Sequence, residues 1–483
     1  MGIKDKGLKS SAWNWLSIMI NQLRNFIVSL ILARLLEPED FGLLGMSLAF
    51  AGFIEVFVDF GFGNAVIQKK EVSQTQLSTI FYLNMIIGAV FTLIMFFCAP
   101  LIANYFEMSM LTDICRVMSA TFLVIALSNL QNALLKKKMD FKTPFFINLS
   151  SGAVTAVVGI VMAYIGFGVW SLVTSTVAGW CLTTTLLWIF NGWRPSFEFS
   201  LKSVTDLWKF GYKTSLTICI DSIYRKIDTL VIGKFFSAST LGFFYRAQSL
   251  NQIVVQYSFS SIQPVLFPAL CEIKDDMEKM RSSVMSLIHI ISFLSFFFAG
   301  VMYICADEII VIFFTEKWIE SAVIFKILGL FTFVYTIPTV LSTPLMSIGE
   351  SGVLLRIETI KKILLTLSIP IGIYYGLYGY IYATQIAAMI GIFINMYFLK
   401  KIRLNIAEQM IVIIQYAIPF AILIVLLSQI FSYIHVNVYA MAILKACAYM
   451  TMYFAYSVAT RSRGLKIFMN SMVKPVANKL FRK

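Results

Sequence analysis

Fourteen runs of about 20 apolar residues divide the sequence, each closed by a short polar stretch or a glycine turn. A helix needs about 20 such residues to cross the hydrocarbon core of a bilayer. Within that core every backbone polar group must be satisfied inside its own segment. The runs at 11–33, 43–67, 76–102, 112–135, 143–165, 169–190, 208–232, 240–268, 283–305, 320–346, 359–375, 378–399, 409–431 and 437–459 therefore predict an all-α polytopic membrane protein of about 14 transmembrane helices. The first run follows Lys4, Lys6 and Lys9 as a signal peptide would. It is too long and too polar for one and lacks a small-residue cleavage site, so it is expected to stay as a helix.

Composition agrees: 59% of the residues are hydrophobic and 13% charged, and the mean hydropathy is +0.81. A soluble enzyme, a nucleic-acid-binding domain and a disordered scaffold are excluded as readings of the whole chain. The net charge of +14 is a topology signal. Of the Lys and Arg residues between runs, all but Arg34, Lys234 and Lys317 fall on one side. The positive-inside rule makes that side, with both termini, cytoplasmic, and the excess also holds anionic membrane lipids. No nucleic acid is expected. Seven scattered cysteines without C-x-x-C spacing read as reduced apolar residues. His289 and His435 lie far apart without acidic neighbours, so neither a metal nor a catalytic site is expected. No phosphate-binding loop and no other cofactor signature occurs, and loops on the sparsely charged side are too short to house an enzyme.

A repeat runs through the chain at an offset of 200 residues. ARLLEPEDFGLLGMSLAF at 33–50 aligns with GKFFSASTLGFFYRAQSL at 233–250, pairing Arg34 with Lys234 and Gly42 with Gly242. The turns GFGVWSL from Gly166 and GLYGYIY from Gly376 correspond as well. Two six-helix lobes related by a pseudo-two-fold axis are expected, at 1–200 and 201–403. Two further helices follow at 404–460, with a basic cytoplasmic tail at 461–483. Transporters commonly place their substrate path between such halves.

Charges inside the runs point to that path, since each costs roughly 2.5–3.5 kcal/mol at the bilayer centre on insertion scales. In the first run Asn14, Ser17, Asn21, Arg24 and Asn25 recur at steps of three and four, forming one polar stripe. Glu55 and Asp59 share a face of the second, and Asp221, Arg225 and Asp228 can pair within the seventh. The first and seventh runs are repeat counterparts, so Arg24 and Arg225 are expected to face each other across a cationic cavity. Arg suits phosphate because its planar fork binds oxygens bidentately. Without an ATP site, transport draws on an ion gradient, the membrane potential or product removal. Glu55, Asp59, Asp221 and Asp228 are the candidates for proton or sodium coupling.

The segments LARLLEPEDFGLLGM (32–46), VDFGFGNAVIQ (58–68), IDTLVIGKFF (227–236) and LGFFYRAQSL (241–250) resemble signatures of the bacterial polysaccharide transporter family. These are the lipid-linked-oligosaccharide flippases of the multidrug/oligosaccharidyl-lipid/polysaccharide exporter superfamily. The resemblance implies a V-shaped pair of lobes in the bacterial inner membrane. It implies as substrate a glycan on undecaprenyl diphosphate, flipped for O-antigen, capsule or exopolysaccharide synthesis, with polymerase or export proteins as conceivable partners. By analogy with related lipid II flippases, Arg24 and Arg246 are the positions that match diphosphate-binding arginines. The last two runs match helices that hold the lipid tail, where Lys445 is an awkward guest. A multidrug or cation antiporter of the same superfamily, a lipid II flippase and, from another class, a membrane glycan polymerase remain the alternatives.

Overall fold

The computed structural model describes residues 3–59, 62–69, 71–200, 222, 224, 226–259 and 263–470. Every regular element among them is a helix, as the apolar runs require, and nine are long and apolar enough to span a bilayer. The chain divides into two compact units, Met1–Gly242 and Phe243–Lys483.

The first unit holds α1 (Ile3–Leu35), α2 (Pro38–Asp59), α3 (Phe62–Gln68), α4 (Gln74–Phe106), α5 (Leu111–Lys137), α6 (Lys142–Ile165), α7 (Val169–Phe190) and α8 (226–235). The apolar run at 43–67 takes in most of α2 and of α3. The short α3 packs Phe62, Ala65 and Val66 against Ile80, Phe81 and Leu130. Its C-terminal carbonyls are capped from α5, where the Lys137 ammonium donates to the Val66 and Lys69 oxygens at 2.9 and 2.6 Å, a cation at the negative end of a helix. The turn between α6 and α7 rests on Gly166, whose φ of +94° closes α6 in the left-handed region. The 200-residue repeat reappears as a reciprocal contact inside this unit. A Cβ on Gly42 would lie 1.9 Å from the Ala238 carbonyl oxygen, and one on Gly242 would lie 1.9 Å from that of Pro38. Only glycine lets backbones approach so closely.

The second unit takes in most of α9 (Ala238–Phe259), then α10 (Gln263–Glu272), α11 (Met277–Ile304), α12 (Ala306–Phe314), α13 (Ile319–Leu330), α14 (Phe333–Ser347), α15 (Ser351–Phe398), α16 (Ile406–Ser432), α17 (Val438–Ala459) and α18 (Arg463–Phe468). Of the apolar stretch in α11, 67% is buried, against 17% in α17, so α11 forms the centre and α17 the edge. The edge helix is tied inward by tyrosines: Tyr449 Oη donates to the Phe296 carbonyl at 2.7 Å and Tyr453 Oη to that of Phe293 at 2.9 Å. The run at 320–346 is broken where α13 meets α14. There the buried Thr332 hydroxyl lies 3.2 Å from Asn251 Oδ1 of α9. α15 covers two predicted spans: Gly376, with φ of +78°, leaves helical geometry in its middle. Lys361 then lies against Gly391, thirty residues on, which requires the two halves to run antiparallel. Large apolar side chains such as Phe97, Leu101, Ile165 and Ile443 remain exposed, as expected of a surface that meets lipid rather than water.

Candidate substrate cavity

Within the first unit, residues of α1, α2, α6 and α7 line an open cavity of about 670 Å³. Three helices turn polar faces into it, each at steps of three and four residues. α1 contributes Asn21, Arg24, Asn25 and Ser29; α6 contributes Asn148, Ser151 and Thr155; α7 contributes Thr176, Trp180 and Thr183. Val28, Leu32 and Phe41 add an apolar part to the lining. Arg24 is the one charged residue among the described residues that line it.

The Arg24 guanidinium is half-buried and held by neutral groups. Nη1 donates to the Asn148 carbonyl of α6 at 2.6 Å, and Nη2 donates to Asn25 Oδ1 at 3.0 Å. No carboxylate among the described residues forms an ion pair with it. A cation in such a setting is available to an anionic ligand. The side chain reaches α6 because residue 152 is glycine: a Cβ there would fall 1.5 Å from Nη1. The obstacle is the tip of a flexible side chain, so the helix can accept a methyl group while the guanidinium is displaced. Gly152→Ala is therefore expected to lower transport several-fold at an unchanged protein level, scored as surface product against an immunoblot of the membrane fraction.

The walls supply mainly acceptors. Thr155 and Thr176 donate their hydroxyl protons back to the Ser151 and Leu172 carbonyls at 2.8 and 2.7 Å, leaving oxygen lone pairs. Asn21 spends its amide protons on the Ser17 carbonyl and hydroxyl. Its Oδ1 is shielded and has no hydrogen-bond partner. The α6 and α7 faces were not picked out by sequence reasoning, which followed charges. Their signal is the row of small and hydroxyl residues Asn148, Ser151, Gly152 and Thr155, echoed by Thr176, Gly179 and Thr183.

Asn21, Arg24 and Asn25 thus share one cavity. Arg246 belongs to the second unit, 5% exposed, with its guanidinium carbon 4.6 Å from the Phe314 ring centre and 4.8 Å from that of Trp318. Asp228 is half-buried in α8. Arg225 and Asp221 lie outside the described residues, as do the side chains of Glu55 and Asp59 in α2. Two other intramembrane cations have partners: Lys445 lies 2.5 Å from Glu308 and Lys326 lies 2.6 Å from Asp307.

Comparison with known proteins gives a consistent result. Residues 31–323 match the model of a family described as polysaccharide biosynthesis protein. The lipopolysaccharide biosynthesis protein WzxC of Escherichia coli (strain K12) is 24% identical over 378 residues, 77% of this chain and 76% of that protein. The succinoglycan biosynthesis transport protein ExoT of Rhizobium meliloti (strain 1021) is 23% identical over 72% of this chain and 70% of its own. Among solved structures, the lipid II flippase MurJ in an inward closed conformation shares the fold with a TM-score of 0.75, at 16% identity, over 95% of this chain and 99% of its own. An inward-facing multidrug resistance transporter of the MATE family follows at a TM-score of 0.63 and 14% identity, over 82% of this chain and 99% of its own. This multi-pass membrane protein belongs to the polysaccharide biosynthesis protein family.

Proposed function

We propose that the protein is a flippase. It carries an oligosaccharide linked to a polyprenyl diphosphate from the cytoplasmic to the outer leaflet of the bacterial inner membrane, by alternating access, for surface polysaccharide synthesis. The cavity supports this reading through a single observation: the one charge among its described lining residues is a guanidinium held by carbonyl oxygens, surrounded by amides and hydroxyls. A diphosphate is met by Arg in fork geometry, and a glycan by the neutral polar walls. A volume of about 670 Å³ falls in the range of roughly 300–1,000 Å³ usual for small-molecule sites. The polyprenyl chain has no need of that space, because it can remain in lipid. The relatives' names, a transport protein of succinoglycan biosynthesis and a lipid II flippase, point the same way. The excess of basic loops on one side supports cytoplasmic termini. Glu55, Asp59, Asp221 and Asp228 remain the candidates for coupling to protons or sodium, and Arg225 and Arg246 for further contact with substrate.

Deletion of the gene tests the proposal. Surface polysaccharide is expected to disappear while the lipid-linked oligosaccharide accumulates in the membrane, measured by mass spectrometry of extracted lipid. Sensitivity to cationic drugs and peptidoglycan synthesis should stay unchanged. Normal surface polysaccharide together with hypersensitivity to cationic drugs would transfer the protein to the drug-exporter class.

A further inference from the structure

The α7 side of the cavity carries a feature that a diphosphate does not require. Trp180 stands half-buried in the wall, flanked one turn to either side by Thr176 and Thr183, with Thr155 across from it on α6. A pyranose ring has an apolar face of C–H bonds and a rim of hydroxyl donors. An indole offers a large, rigid apolar face. The Thr155 and Thr176 oxygens, their own protons committed to helix carbonyls, offer acceptors. Resting on the reading of Arg24 as the diphosphate anchor, we propose that this wall is a sugar subsite: Trp180 stacks a pyranose ring of the bound glycan while Thr155 and Thr176 accept hydrogen bonds from its hydroxyls.

The position of the cation determines which sugar it is. Arg24 lines the same cavity as Trp180, so a ligand with its diphosphate on the guanidinium brings its first sugar into the same cavity. Arg24 is the one cation among the described residues that line the cavity, and the diphosphate engages it, which favours an uncharged stacked ring, a hexose or N-acetylhexosamine rather than a uronic acid. The placement of Gly179 beside Trp180 belongs to the same device. A Cβ at residue 179 would meet Thr155 Oγ1 at 2.4 Å, so glycine brings the threonine acceptor alongside the indole.

Binding to the purified full-length protein tests this, using two probes: a short-chain polyprenyl diphosphate bearing one N-acetylhexosamine, and the same lipid without sugar. The wild type is expected to prefer the glycosylated probe. Trp180→Ala should reduce that preference by about two- to tenfold, the range of an aromatic contact. Trp180→Phe should keep most of it. Arg24→Ala should weaken both probes and leave their ratio. Thermal unfolding of each variant separates misfolding from loss of contact, and Thr176→Val provides a second variant that removes an acceptor without removing the ring. A preference untouched in both Trp180→Ala and Thr176→Val overturns the subsite, as does a wild type that does not distinguish the probes. A wild type that binds neither probe overturns the diphosphate reading beneath it.

Discussion

Cells whose only copy carries Arg24→Ala are expected to lose nearly all surface polysaccharide while keeping the protein in the membrane at its normal level. Two magnitudes separate here. On the side of stability, the guanidinium donates only to the Asn148 carbonyl and to Asn25 Oδ1, and no carboxylate among the described residues depends on it for neutralisation. Its removal leaves no buried countercharge, so the change is expected to stay near the 1 kcal/mol typical of substitutions. On the side of binding, each hydrogen bond to a charged group is worth about 1.5–3 kcal/mol, roughly ten- to a hundredfold in affinity. A fork that holds a diphosphate makes at least two. Arg24→Lys keeps the charge and loses the fork, so intermediate glycan is expected. The measurement is surface polysaccharide by gel and immunoblot, normalised to membrane protein. Full glycan in the Ala variant would remove Arg24 from the mechanism.

The helices were legible to within a few residues wherever an apolar run ended in a turn with its own chemistry. The runs at 112–135, 143–165 and 169–190 became Leu111–Lys137, Lys142–Ile165 and Val169–Phe190, because Gly166 and the basic stretch near Lys136 interrupt hydropathy abruptly. Breaks inside a run were not legible. α13 and α14 are apolar on both sides of the interruption, and no charge marks it. At the candidate site, Arg24 stood out because no acid lies within four residues of it. The α6 and α7 walls did not, since glycine, serine and threonine scarcely perturb a hydropathy profile. Partners far apart in sequence were likewise hidden. The rings above Arg246 are supplied by Phe314 and Trp318, and nothing in the local pattern around residue 246 announces them.

Lys445 is the second case of a hidden partner, and it carries the largest expected effect on stability. A lysine in the middle of an edge helix would be costly in a groove for lipid. Here its ammonium lies 2.5 Å from Glu308 Oε1, with the two side chains 15% and 8% exposed. Glu308 sits in the first turn of α12, beside Asp307, which reaches 2.6 Å to Lys326 of α13. Successive residues on a helix point about 100° apart, so α12 grips α13 with one carboxylate and α17 with the next. Lys445→Met leaves the Glu308 carboxylate buried without its cation, and breaking a buried pair in this way costs about 3–5 kcal/mol. The thermal midpoint in detergent is expected to fall steeply, and a comparable fall is expected for Glu308→Leu. The double variant should recover most of the loss, because exchanging both charges for apolar groups also removes both desolvation penalties. The exposed pair Lys279–Asp276, at 72% and 43%, is the control: Lys279→Met should change stability by under about 1 kcal/mol. If the two single effects simply add in the double variant, the ion pair is not what binds α17 to α12, and the tyrosine contacts of α17 to α11 must hold the edge helix by themselves.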